Sequence, residues 1–432
     1  MFGGGSFTTQ NKVLPGAYIN FVSAASSKSA LSQRGTVAVP LILSWGIEQE
    51  VFTVTAEEFQ EHCFEIFGYE YEADEMLVLR ELFRNMTKGV LYRLNKGVKA
   101  SNDYAEAVYG GVRGNDITIV ISKNVNDENK YDVKTMFAGK EADKQTVSAA
   151  ADLMNNDYVV FKKDAVLAAI AGTPLAGGTD GDSLTGADYS AFLSAVEPYA
   201  FNILCCPVTD EAVKALFTAF TKRMRDEAGI KFQTVLYRSH EADYEGIISV
   251  ENKAEGLEQG LVYWVAGAEA ACAVNKTVEN QKYTGEYKID TNYTQLQLSD
   301  AVTSGKFMFH KAGDEVRVLM DINTLVTVSS EKNEDFSSNQ TIRVLDQIGN
   351  DIAALFTSRY LGKISNDNSG RVSLWSDIVS YNKELSDIRA IEAVDSKEIT
   401  VSIGNTKRSV VVSNPVTPVN CMSQLYMTII VS

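Results

Sequence analysis

Apolar positions recur along this chain in two periods, and the changes of period mark out its elements. Alternation at Tyr18-Ile19-Asn20-Phe21-Val22, directly after the turn signal Pro15-Gly16, predicts one strand within a stretch otherwise rich in Gly, Ser and Ala. Residues 1–30 therefore read as a mobile arm carrying a strand. A β-like run over 36–43 comes next, and Thr55 with Glu58 has the spacing of a capping box. The helix it opens presents Phe59, Cys63, Ile66 and Phe67 on one face, and a second helix follows with Met76, Leu79, Phe83 and Met86.

From about 101 to 175 the texture changes to short β-like runs, 116–123 and 158–162 among them, separated by polar loops such as 124–130. A β-rich inserted domain is predicted there. It closes in residues 172–186, where five glycines in fifteen positions permit a sharp change of direction. Strand and helix then alternate, which predicts an α/β layer. Its elements are a strand over 201–206, a helix opening at Thr209 with Val213, Leu216, Phe217, Phe220 and Met224 inward, strands over 232–237 and 246–250, and the very apolar stretch 260–274. That stretch holds a single charge, Glu269, and is shorter than the ~20 residues needed to cross a bilayer, so it predicts a buried helix. Gly267 and Ala271, four apart, would let a neighbouring element come close to its backbone.

The last third predicts strands over 306–310 and 315–320, then two helices. Leu345, Ile348, Ile352 and Leu355 mark the first, and Leu374, Ile378, Tyr381, Leu385 and Ile388 the second. Three β-like runs close it, over 397–403, 408–413 and 425–431. The fold class read from this pattern is mixed α+β and multidomain, an α/β core with a β-rich insert.

Composition narrows the function. At 432 residues the length suggests about three domains. A net charge of −16 repels phosphate backbones and anionic lipid heads, which argues against nucleic acid or a membrane as a direct partner. Eleven acidic residues and one basic, Arg80, lie between Glu48 and Leu82, either as solvated helix faces or as a surface for a basic partner. Cys63, Cys205, Cys206, Cys272 and Cys421 show no repeated spacing, so neither a disulfide framework nor a zinc module is expected. The first ten residues lack the features of a secretory signal, and a protein made and folded in the cytosol is expected.

Candidate chemistry is sparse. His62, His240 and His310 have no spacing that puts two of them on one metal. Asp180 and Asp182 lack the remaining ligands of a calcium loop. The glycine run 110–114 leads into a strand, whereas a phosphate site needs a helix start, so it reads as a turn. Cys205-Cys206 reads as small apolar filling of a buried strand, and His240-Glu241-Ala242-Asp243 as a loop between strands. No catalytic, cofactor or metal residues emerge. What remains unusual is strand-forming sequence at both ends with no hairpin partner beside it, whose backbone groups must be satisfied elsewhere, as by another copy of the chain.

These residues resemble the tail sheath proteins of contractile bacteriophages and phage-tail-like bacteriocins, especially those of Gram-positive hosts. The likeness runs nearly the whole chain, through 15–21, 34–40, 172–186, 242–252, 321–327, 342–352, 360–363, 370–375, 416–420 and 425–431. The resemblance implies a non-enzymatic polymer without cofactor, assembled in the host cytoplasm as stacked hexameric rings around an inner tail tube and contracting once. It implies the inner tube protein, baseplate and tail terminator proteins as further partners, and the virion tail as its place. Under it the chain divides into an arm (1–30), a first core part (31–100), an outer insert (101–175), a sheath domain (176–330) and a C-terminal assembly domain (331–432) ending in an arm from 421. The expected intersubunit strands are Tyr18, Ile19, Asn20, Phe21 and Val22 at one end and Leu425, Tyr426, Met427, Thr428, Ile429, Ile430 and Val431 at the other. Lys383 and Arg389 are the expected tube-facing charges.

Overall fold

The computed structural model describes residues 31–431, so the strand expected at Tyr18-Ile19-Asn20-Phe21-Val22 lies outside the described residues. The chain divides into two compact units. The larger comprises Gln33–Asn350, Arg389–Glu392 and the segment from Val416 onward, and the smaller Asp351–Ile388 and Ala393–Pro415.

The larger unit starts with β1 (Thr36–Leu41), β2 (Val51–Thr55), α1 (Ala56–Glu61), α2 (Cys63–Phe67), α3 (Leu77–Phe83) and β3 (Lys88–Arg93). Short strands follow: β4 (Lys99–Ser101), β5 (Ala105–Gly110), β6 (Ile117–Lys123), β7 (Tyr131–Phe137), β8 (Lys140–Val147), β9 (Val159–Phe161) and β10 (Ile170–Pro174). The α/β rhythm resumes with α4 (Gly186–Val196), β11 (Ile203–Cys206), α5 (Glu211–Lys222), β12 (Gln233–Tyr237), β13 (Ile247–Val250), α6 (Leu261–Ala271) and α7 (Gln295–Thr303). The hairpin β14 (Phe309–Ala312) and β15 (Glu315–Val318) leads to α8 (Asn339–Leu355).

A six-stranded sheet in the order β13-β12-β11-β1-β3-β2 forms the core, with every neighbour parallel except β2 on β3. Parallel strands are covered on both faces, which is why β1 and β11 read as largely apolar runs and β12 and β13 are buried throughout, Gln233, Thr234 and Ser249 included. Val37, Val39, Ile203, Cys205, Val235 and Ile248 face α3 and α6, while Ala38, Leu204, Cys206, Leu236 and Ile247 face α4 and α5. Pro40 is tolerated in this central strand because β1 pairs with β11 only at Val37 and Ala38. The expected capping box at Thr55 and Glu58 opens α1.

The strand expected over 306–310 begins later, at Phe309, because Phe307 instead makes a parallel bridge to Val250 at the edge of the large sheet. α6 is buried from Leu261 to Ala270. A Cβ on its Gly267 would stand 2.4 Å from the carbonyl oxygen of Leu82 at the end of α3, so the small-residue spacing reflects a backbone contact no larger residue permits.

The expected β-rich insert contains two sheets, β10-β6-β7-β8 and β4-β5-β9, around Ile117, Ile119, Ile121, Val133, Phe137 and Val159. Trp45, from the loop after β1, packs into that cluster against Tyr109 and Phe137. A buried polar joint holds the insert to the core sheet. Arg93, fully buried at the end of β3, donates to the carbonyls of Gly46 and Gly110, and the Glu48 carboxylate accepts from the amides of Gly97 and Gly110. Asp180 accepts from Ser44 and the Val112 amide, which gives this acidic residue a structural use. The glycine run forms a short 3-10 turn before β6.

The smaller unit is built on α9 (Asn368–Asp387) and the antiparallel hairpin β16 (Thr400–Ile403) with β17 (Val410–Ser413). Tyr360, Leu374, Ile378 and Ile399 form its core, and Trp375 donates from its indole to the carbonyls of Ser396 and Ile399. One helical face differs from the expected one. In α8 the expected Leu345 and Ile348 are only half-buried, while Ile342, Arg343, Asp346 and Gln347 are buried. That part of α8 is buried through polar partners, which a periodicity of apolar residues does not register.

Candidate assembly surfaces

The C-terminal segment is gripped at its root and free beyond it. Thr417 accepts from the Glu392 amide, and Val419 donates to the carbonyl of Ala390. The Gln340 side chain donates to the carbonyl of Val419 and accepts from the amide of Cys421, and Thr341 pairs with Asn420. After Ser423, which donates to Glu279, the pattern changes. The strand expected over Leu425, Tyr426, Met427, Thr428, Ile429, Ile430 and Val431 is not formed: these residues carry no ladder among the described residues and all are exposed. Leu425, Tyr426, Ile430 and Val431 are each more than four-fifths exposed. The physical reason is that a strand requires a partner strand, and none lies beside it among the described residues.

In the smaller unit, β16 and β17 pair only with each other among the described residues. Val401 and Val410 turn inward to the core, while Ile403, Val411 and Val412 are exposed. A two-stranded ribbon with open edges and an apolar exposed face is a receptive surface for further strands. Lys383 stands exposed on α9. Arg389, also exposed, has φ 60°, a left-handed conformation that glycine adopts at less cost.

The residues considered for chemistry are occupied by structure. Burial pushes the Cys205 and Cys206 thiols well up from their ordinary range, so they stay protonated filling. Asp243 accepts from the amides of Val326 and Thr327 and fastens a loop. A groove of about 530 Å³ beside α5 is lined by Lys214, Lys222, Arg238 and His240, but the buried Lys214 ammonium is engaged by Glu211 and the carbonyls of Tyr237 and Arg238. No group of acidic, His and Cys side chains suited to a metal occurs among the described residues, and no described helix is long and apolar enough to cross a membrane. Of the acidic run, Glu57, Glu61, Glu65, Glu72, Asp74 and Glu75 are solvated and Glu81 is buried against Tyr283 and the Glu286 amide, while its one base, Arg80, is held by the distant Glu286.

Family profiles cover this architecture almost end to end. Residues 34–94 match "Tail sheath protein Gp18 domain III N-terminal region", 95–180 "Phage tail sheath protein beta-sandwich domain", 182–324 "Phage tail sheath protein central domain" and 331–432 "Phage tail sheath C-terminal domain". The chain belongs to the phage tail sheath family. Among relatives of the sheath, the Phage-like element PBSX protein XkdK of Bacillus subtilis is 35% identical over 99% of each chain. The crystal structure of the sheath tail protein of Desulfitobacterium hafniense superimposes with a TM-score of 0.83 at 39% identity, over 93% of this chain and 96% of that one. The helical sheath of the anti-feeding prophage in its contracted state shares the fold, with a TM-score of 0.57 at 11% identity over 97% and 99% of the two chains. The chain is thus a structural sheath component of a phage-type tail.

The functional feature that sequence reasoning missed in this sheath protein is the polar start of α8, where Gln340, Thr341 and Arg343 hold neighbouring segments. One signal was available. Glu269, alone in an apolar stretch, required a buried polar partner, and Arg343 supplies one at 2.5 Å.

Proposed function

We propose that the chain polymerises as stacked hexameric rings around an inner tail tube and contracts irreversibly, driving the tube through a target envelope. The observation that carries this reading is the uncharged run from Leu425 to Val431, exposed and unpaired in the single chain. An exposed apolar strand of that length is an aggregation hazard unless assembly covers it. The open β16–β17 hairpin of another copy has the matching requirement, and Tyr18 to Val22 is the second strand for such a sheet. Because the run has no partner strand among the described residues, a partner in another copy is the pairing proposed, and its repetition from copy to copy would build a helical polymer.

The remaining partners under this reading are the inner tube protein, the baseplate and the tail terminator. The domain division is the one expected above, with 101–175 outermost and 331–432 as the assembly domain. Lys383 and Arg389 face the tube, and the left-handed backbone at Arg389 favours that view, since arginine there bears a cost that glycine would not. Contraction draws on the difference between two packings of the same subunits.

Deleting residues 424–432 tests the reading. The shortened chain is expected to stay soluble and to melt cooperatively, yet to form neither rings nor striated tubes in electron micrographs. Loss of the monomer fold, or sheaths of normal length on the tube, would overturn it. A chain that never polymerises even at full length would belong to the baseplate or a fibre instead.

A further inference from the structure

Within the larger unit, Arg34 near one end of the chain and residues 419–423 near the other are tied to one buried network. Arg34, which precedes β1, donates from Nε to the carbonyl of Cys272 at 2.9 Å and from Nη2 to that of Glu269 at 3.1 Å. These are carbonyls at the C-terminal end of α6, where a helix has unmet acceptors and favours a cation. On the same turn the Glu269 carboxyl, fully buried, meets Arg343 Nη2 at 2.5 Å. Arg343 also donates to Asp321 at 3.3 Å and to the carbonyl of Lys276 at 2.6 Å. Asp321 in turn accepts from Asn339, Thr277 and the Val278 amide. At the other side of this network, one turn before Arg343, Gln340 holds Val419 and Cys421, and Glu279 in the adjoining loop holds Ser423.

Burying these charges costs several kcal/mol per ion before pairing, and well-packed apolar side chains would serve stability as well. The benefit is geometric. A guanidinium is a planar fork whose donors cannot shift independently, so Arg343 cannot follow a displaced Glu269 without disturbing Asp321 or Lys276. We propose that Arg343 is a positioning residue that couples the root of the N-terminal segment to the root of the C-terminal one, so that a displacement of either is felt by the other. Its use in assembly rests on the reading of both ends as intersubunit arms. The coupling itself does not, because it is a property of the unassembled chain.

Hydrogen exchange on the full-length monomer separates the two. Arg34→Ala is expected to speed exchange at the Val419 and Cys421 amides by about ten-fold, with Val235 and Ile248 in the central sheet unchanged. In an Arg343→Lys background, which keeps the charge and loses the fork, the same Arg34→Ala change is expected to add less than about two-fold. Unaltered protection at 419–421 in Arg34→Ala would overturn the proposal whether or not the Lys variant folds. Equal increments in both backgrounds would overturn it as well. Neither outcome depends on whether tubes form, so a failure of the coupling and a failure of the assembly reading are told apart.

Discussion

At position 267 the absence of a side chain is itself the contact. Replacing Gly267 with Ala drives a methyl carbon into the Leu82 carbonyl, and a close-packed core answers such overpacking by shifting backbone at a cost of about 1–3 kcal/mol. A lowered thermal midpoint with unchanged secondary structure is expected. A midpoint at or above that of the natural chain would show that α3 and α6 can separate freely. Glu269 yields a second residue-scale prediction. Burial, with Asp321 close by, raises its pKa well above the ordinary range despite Arg343. Asp321 is held below its ordinary range, because Arg343 and its hydrogen bonds outweigh burial, so the pair keeps one proton on Glu269. In the unfolded chain Glu269 ionises at the ordinary carboxylate pKa. Stability tied to it is therefore full below that range and falls as pH rises, by about 1.4 kcal/mol per unit until the folded carboxyl also ionises. Glu269→Gln cannot ionise in either state, so its advantage in melting temperature should be small at pH 4 and grow towards pH 8. A difference independent of pH would mean that Glu269 is already ionised when folded.

Among the elements, α8 and α9 show how far periodicity reaches. On α9 the structure buries Leu374, Ile378, Tyr381 and Leu385 of the expected face, because that helix packs on an apolar core, while Ile388, just past the end of the helix, is exposed. In α8 the same method picked Leu345 and Ile348, since hydrogen-bonded burial of Arg343, Asp346 and Gln347 has no apolar signature. Arg225 and Asp346 form a bidentate, nearly buried pair there, so Asp346→Ala should strand a buried guanidinium and cost about 3–5 kcal/mol, read from urea unfolding. A loss below 1 kcal/mol would show that water reaches the site. The charges at Lys383 and Arg389 invite a different experiment. Reversing both to Glu is expected to weaken sheath assembly on the tube, and the defect should shrink as salt is raised, since exposed charges are screened within about 8 Å at physiological ionic strength. Assembly unchanged over a range of salt would remove them from the interface.

On the scale of the whole molecule the question is where the work of contraction is held. If the chain contracts as proposed and without fuel, the work must be stored in the arrangement of its subunits, and a metastable extended sheath is expected. Calorimetry on intact extended particles should record an exothermic, irreversible event below the temperature at which the subunits melt. Extension and contraction that reverse with mild salt alone would argue strongly against stored energy.

The arrangement of elements was legible in the chain because local chemistry dictates it. The capping box at Thr55, the largely apolar runs of β1 and β11, the small-residue contact of α6 and the β texture of the insert each follow from a few neighbouring residues. The apolar run from Leu425 to Val431 was equally plain as sequence, but whether a strand forms depends on a partner, and the described residues supply none. Only the tertiary structure brought Arg343 to Glu269, Glu48 to the amides of Gly97 and Gly110, and Gln340 to Cys421. Those pairings join residues far apart in the chain through polar groups, and the spacing of apolar residues along a sequence carries no record of which distant donor will meet which buried acceptor.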